Sequence, residues 1–309
     1  MGHRCNYLVR EGGQTSSFYS QWGALSLVSD VLAGPTPLLA MIRECTTTSE
    51  LLDSVFSEGA VLVDVDRNEL AVWGGTLVKY LRPVRSAYLQ LVQASWPNWK
   101  VGWSNKGIVG IVQMLGGDTN AVERSPLARP DVTKLNPRHS YPFTWVTLLN
   151  GGAALDVGLD PEPGELLLLG PTLVDHVRTG AAGVLPREDN LGGGILVDVG
   201  RQSLLWWSSG RYWPTPAQLA ECWPTWQLQY LEGGLPAQVR LSGRDPGRVA
   251  LSEEEVCAYL TSEVFPRKPP DPIPSLLRLA ERLKQEGKPV TINPEALRYP
   301  VVEWSDTEH

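Results

Sequence analysis

The chain is short of the residues that most often carry chemistry. It holds four cysteines (Cys5, Cys45, Cys222 and Cys257) and four histidines among 309 residues. The cysteines show no close pairing and the histidines are equally scattered, so neither a disulfide framework nor a zinc-binding spacing is offered. No Walker loop, dinucleotide fingerprint or G-x-S-x-G elbow occurs, and Gly192-Gly193-Gly194 precedes a strand, not the helix N-terminus a phosphate needs. No cofactor and no metal is therefore expected. Basic residues are in the minority: 27 Lys and Arg against 34 Asp and Glu give a net charge of −7. Non-specific nucleic-acid binding, which needs clustered cations, is not expected.

Long apolar runs are also lacking. None approaches the length that spans a bilayer, so no membrane association is expected. The opening segment has no apolar core suited to secretion, and Asn6 stands where a myristoylation signal needs Ser or Thr. The expected location is the cytoplasm, with reduced thiols.

What is present points to a globular fold. Hydrophobic residues make up 42% and charged residues 20% of the chain, and twelve tryptophans supply large rings for cores or stacking sites. The strongest signal is internal. GAVLVDVDRNELAVW from Gly59 and GGILVDVGRQSLLWW from Gly193 share eight identities in fifteen positions, where composition alone gives about one. Further landmarks follow in the same order: Gly12-Gly13 with Gly151-Gly152, Gly34-Pro35-Thr36 with Gly170-Pro171-Thr172, WPNWKVGWSNKG with WPTWQLQYLEGG, and Gly116-Gly117-Asp118 with Gly243-Arg244-Asp245. A unit this long is a duplicated domain, not a solenoid repeat.

The expected layout is a first repeat over 1–124, a linker over 125–140, a second repeat over 141–251 and a C-terminal helical extension over 252–309. Each repeat reads as hairpin, helix, helix, hairpin, helix, strand and helix, an α+β class with largely antiparallel sheet. In the first repeat the second helix is placed in TTSELLDSVF, capped by Thr48 or Ser49. LPAQVRLSG in the second repeat reads equally as helix or strand. Ser252 and Glu255 form a capping box. PRKPPDPIP is a stiff spacer, and SLLRLAERLKQEG an amphipathic helix whose mixed flanking charges suit docking on protein.

Asp64 and Asp66 resemble an acidic pair for a metal, but they enter a turn where Asp accepts local backbone hydrogen bonds. Asp64/Arg67 and Asp198/Arg201 are read as turn-stabilising pairs. The WPxW elements, where a helix ends and a strand begins, are read as core seals, although rings there would also stack on sugars or bases. The site candidate is the polar set of the N-terminal hairpin: Arg4 and Asn6 on one face of the strand, His3 and Cys5 on the other, with Tyr19, Ser20 and Gln21 on its partner strand. The equivalent strand FTWVTLL is almost wholly apolar, as when one copy of a duplication keeps a site and the other becomes scaffold. A simply solvated edge hairpin would carry the same residues.

Met-Gly-His-Arg-Cys-Asn, Tyr-Ser-Gln-Trp-Gly-Ala (19–24), Gly34-Pro35 and Glu58-Gly59 together resemble a bacterial family of uncharacterised proteins, whose members open Met-Gly-His-Arg-Ala-Asn and carry Tyr-Ser-His-Trp. The resemblance covers the first repeat and implies no established activity. Gln21 replaces the family's His, and an amide cannot serve as a base near neutral pH. Two functions remain. The first is a non-catalytic binding or regulatory protein that takes a small ligand or protein partner at the first repeat or between the halves. The second is a hydrolase or transferase using His3 as base, Arg4 as anion anchor and Tyr19 or Ser20 as proton carrier or nucleophile.

Overall fold

The computed structural model describes residues 3–123, 129–132, 135, 143–151, 153–180, 182–209, 214–265 and 272–292. The expected linker therefore lies largely outside the described residues, as does most of the Pro-rich spacer. Residues 1–264 form one compact unit, and a second begins at Phe265.

The first repeat opens with the hairpin β1 (Cys5–Glu11) and β2 (Gln14–Ser20), then helices α1 (Gly23–Leu32) and α2 (Pro35–Glu44) and a short strand β3 (Thr46–Thr47). The hairpin β4 (Gly59–Asp64) and β5 (Glu69–Trp73) follows, then α3 (Leu77–Tyr80), α4 (Arg82–Ser95), β6 (Lys100–Trp103) and α5 (Gly107–Met114). The second repeat runs β7 (Thr144–Asn150), β8 (Ala153–Leu159), α6 (Pro163–Leu167), α7 (Thr172–Thr179), β9 (Gly193–Asp198), β10 (Ser203–Ser208), α8 (Pro216–Cys222), β11 (Gln227–Tyr230) and α9 (Gly234–Leu241). Helix α10 (Glu253–Val264) closes the large unit, and α11 (Pro272–Gln285), stopped at Gly287 (φ 74°), belongs to the small one. No helix among the described residues is long and apolar enough to cross a membrane.

The two sheets have one plan. Their orders are β3-β2-β1-β4-β5-β6 and β8-β7-β9-β10-β11. Hairpin partners run antiparallel, whereas β1 beside β4, β5 beside β6, β7 beside β9 and β10 beside β11 run parallel. The central strands β4, β5, β9 and β10 read as nearly continuous apolar runs because helices cover both faces of the sheets there. In the first repeat α1, α2 and α4 bury Tyr7, Val61, Val63 and Val72 on one face, and α5 buries Leu8, Leu62 and Trp73 on the other.

Small details repeat as well. The indole Nε1 of Trp96 donates to Val31 O at 2.7 Å, and that of Trp223 to Leu167 O at 2.7 Å. Trp99 and Trp226 pack edge-on against these rings at 4.9 and 5.0 Å. Both WPxW elements thus seal cores. Backbone N–H groups of Arg67 and Arg201 donate to Asp64 and Asp198 at 3.1 and 3.0 Å, so both aspartates hold their turns. Each WPxW turn needs a left-handed residue: Asn98 (φ 66°) in the first copy and Thr225 (φ 70°) in the second. A β-branched residue is strained there. Thr225→Asn is expected to stabilise the protein by about 1 kcal/mol in chemical denaturation.

The structure departs from expectation in two places and settles an open choice in a third. Residues 21–32 hold α1, which the sequence reading passed over between the hairpin and Gly34. LPAQVRLSG is the helix α9. The helix expected in TTSELLDSVF does not form, because its backbone groups are taken by partners outside it. Leu52 N donates to Asn6 Oδ1 at 3.0 Å, Asn6 Nδ2 donates to Leu52 O at 3.1 Å, and Ser54 N donates to Val122 O at 2.8 Å. Helical propensity is a weak prior against such tertiary competition.

Candidate functional site

The five candidates on the N-terminal hairpin separate. Asn6 is fully buried, and its second Nδ2 bond, to Ser57 Oγ at 3.1 Å, commits the amide to structure. Arg4 lies over the Phe56 ring (5.1 Å), with Nε 3.9 Å from Glu58 Oε2. Tyr19 shares that face; its hydroxyl donates to Gln21 Oε1, and burial pushes its phenol up, with Arg4 opposing and Glu58 adding. Ser20 pairs with Cys5 in the ladder and lies on the other face, beside Gly23. His3 is exposed, its ring 6.4 Å from Trp22. The geometry therefore brings Arg4 and Tyr19 together, commits Asn6, which lies opposite Tyr19 on the same face, to structural bonds, and leaves Ser20 and His3 elsewhere. Asp66 sits at the other end of the hairpin from Arg4, where it accepts from Gly12 N and Gly13 N at 2.7 and 2.8 Å. Those bonds hold its carboxyl below the usual range.

A denser group of charges lies at the seam between the repeats. Helix α4 begins with Arg82 and carries Arg85 one turn on, with no acidic residue in its first turn. Cations at a helix N-terminus oppose the macrodipole. Each arginine meets an aromatic ring, and the two rings are equivalent: Trp103 at the end of β6 and Tyr230 at the end of β11. Arg85 stacks 5.0 Å from the Trp103 centroid, and Arg82 5.6 Å from that of Tyr230. Both terminal nitrogens of Arg82 are employed. The side chain donates to Tyr230 Oη (3.0 Å), Leu231 O (3.4 Å) and Glu232 Oε2 (2.9 Å), and so binds the first repeat to the second.

Arg85 differs. It is 8% exposed, and no hydrogen-bond acceptor reaches it among the described residues. Burial, then Arg82, push its guanidinium down to about 10, so it stays charged at neutral pH. Its N–H donors are left with a narrow margin of solvent as their partner, a weakly satisfied arrangement for a largely buried cation. Across the seam from Arg82 stands Glu188, also buried at 4% exposure, with Oε2 unpartnered. Its Oε1 lies 3.1 Å from where a Cβ on Gly234 would sit, beside the Arg82 stem at 3.3 Å, so any side chain there would crowd both and strain the backbone (φ 61°).

Helix α10 straps the seam. Glu263 accepts from Thr76 N and Leu77 N, and Leu260 and Val264 join the first core. On the second repeat Tyr259 donates to Asp189 (3.0 Å) and Arg187 pairs with Glu255 (2.7 Å). Residues 253–264, expected as part of an extension, are thus built into the large unit.

Among the described residues no cluster of His, Cys, Asp and Glu is arranged to hold a metal. Sequence reading missed the seam, although one signal was visible: two arginines three apart opening a helix, where acids are favoured. No family model, no curated protein and no solved structure matches the chain, so the seam is read from its own chemistry.

Proposed function

We propose that the chain is a non-catalytic cytosolic binding protein whose site is the seam between its two repeats, and that the ligand presents an oxyanion to Arg85. The observation that carries this reading is the buried Arg85 guanidinium, stacked on Trp103 and lacking an acceptor. An oxyanion supplies the missing acceptors, and charge-assisted hydrogen bonds to it are the strong kind. Arg82 adds field without leaving its partners, and the aromatic rings hold both side chains in place.

Calorimetric titration with sulfate tests the proposal. Arg85→Met keeps the apolar stem over Trp103 and removes the charge. It should weaken sulfate binding at least 10-fold, the loss of about 1.5–3 kcal/mol expected for bonds to a charged group. The melting temperature should hold or rise, since a buried unpaired cation is removed. Unchanged sulfate affinity in Arg85→Met would refute the reading, as would the absence of sulfate binding to the native protein.

A further inference from the structure

We infer that the open end of the N-terminal hairpin holds a second binding site, separate from the seam, in which Arg4, Glu58 and Phe56 receive a free α-amino acid with an apolar side chain. Arg4 is short of partners. Its Nε is shut off from water without an acceptor, and its one ion-pair partner among the described residues, Glu58 Oε2, stands at 3.9 Å, beyond hydrogen-bond range. Glu58 is half spent. Its Oε2 accepts from the backbone N–H of Arg4 at 2.8 Å, and Oε1 takes no bond among the described residues. The two side chains remain open to solvent, 29% and 32% exposed.

An apolar surface adjoins this pair. Phe56 lies under the guanidinium and is itself 51% exposed, with Val55 beside it at 43%. The turn that carries them is fixed: Val55 N and Phe56 N donate to Asp53 Oδ1 at 3.0 and 3.1 Å, and Asn6 Nδ2 holds Ser57 Oγ at 3.1 Å. A ligand therefore meets an ordered ring at little ordering cost.

The second repeat shows that the fold needs none of these groups. Glu58 N and Gly59 N donate to Arg4 O as Gly192 N and Gly193 N donate to Phe143 O, so Phe143 stands for Arg4 and Gly192 for Glu58. The Phe143 ring fills the space that a side chain on Gly192 would need. Tyr19, opposite Asn6 on the face of Arg4, is matched by Gly158, opposite Trp145. One copy closes this position with an aromatic ring, and the other keeps a charge pair open there.

Charge complementarity selects the ligand. A lone anion at Arg4 meets repulsion from Glu58, and a lone cation at Glu58 meets repulsion from Arg4. An α-amino acid carries a carboxylate and an ammonium on one carbon and answers both groups with charge-assisted hydrogen bonds. Its apolar side chain is left to cover Phe56 and Val55.

Chemical-shift titration of the native protein with L-leucine tests the site, as sulfate tests the seam. Leucine should shift the Val55 and Phe56 amides with a dissociation constant on the order of 1 mM, as suits a small ligand on an open surface. N-acetyl-L-leucine lacks the ammonium and L-leucinamide lacks the carboxylate. Each should bind at least about 10-fold more weakly, the loss of bonds to one charged group. Glu58→Gln keeps an acceptor for Arg4 N and should lose the preference for leucine over N-acetyl-leucine. Arg4→Met keeps an apolar stem over Phe56 and should lose the preference for leucine over leucinamide. Equal affinity of the native protein for all three compounds would overturn the inference, and that comparison needs no variant to fold. Leucine shifts that miss Val55 and Phe56, no shift at all, or unchanged discrimination in either variant would overturn it too.

Discussion

Truncating either buried indole, Trp96→Ala or Trp223→Ala, should lower the free energy of unfolding by about 3–5 kcal/mol, the range for removing a large aromatic from a packed core. Both rings are at most 1% exposed, and both also pin a helix by donating to a carbonyl, Val31 O or Leu167 O. The ring is therefore filler and clamp at once, and its loss leaves a cavity and a buried acceptor without a donor. Against a total of about 5–15 kcal/mol for an ordinary domain, either change removes much of the margin. The two indoles belong to different cores, so the double variant should show nearly additive losses in denaturant titration. A loss below about 1 kcal/mol at either site would show that the WPxW rings are not core seals.

Asp156→Ala should cost a similar amount, about 3–5 kcal/mol, for a different reason. Asp156 is 7% exposed and gathers donors inside the second repeat: Thr147 Oγ1 at 2.6 Å, Trp145 Nε1 at 3.2 Å and both terminal nitrogens of Arg244, one of them at 3.1 Å. Gln238, fully buried, joins the same network through Thr147 Oγ1, Trp145 O, Ile195 O and Trp207 Nε1. Without Asp156 a guanidinium, an indole N–H and a hydroxyl lose their acceptor together. The test is again the midpoint and slope of a denaturant titration. A loss under about 1 kcal/mol would mean that water reaches Arg244 and Thr147 readily.

This network also corrects a simple account of the duplication. The second repeat had read as the apolar partner of a polar first repeat, and at Phe143, which stands where Arg4 stands, that is so: the equivalent carbonyls of Arg4 and Phe143 each accept two backbone N–H groups. Deeper in, the polarity reverses. Ladder register places Leu8 opposite Leu62 in the first repeat, where Thr147 lies opposite Leu196 in the second, and Ser17 pairs with Leu8 where Asp156 pairs with Thr147. At this register the first repeat pairs Leu8 with Leu62 and the second pairs Thr147 with Leu196, so the buried polar cluster here belongs to the second repeat.

The sequence by itself determined the duplication, the class of the fold and most of the elements. These are local or self-referential properties: apolar periodicity, turn residues, helix caps and identities between two stretches of one chain. It also determined the roles of Asp64, Asp198, Trp96 and Trp223, because each role follows from a residue type at a chain reversal or a helix end. The tertiary structure alone decided where each polar group spends its hydrogen bonds. Asn6 in a strand is a ligand contact or a structural clamp according to whether residues 52–57 lie beside it, and only long-range packing brings them there. The seam followed the same rule. Arg82 and Arg85 are close in sequence, but Trp103, Glu188 and Tyr230 reach them only when two sheets and α10 pack. Burial then makes the difference between a solvated arginine and one that lacks an acceptor, since desolvation is a property of the surroundings and not of the residue.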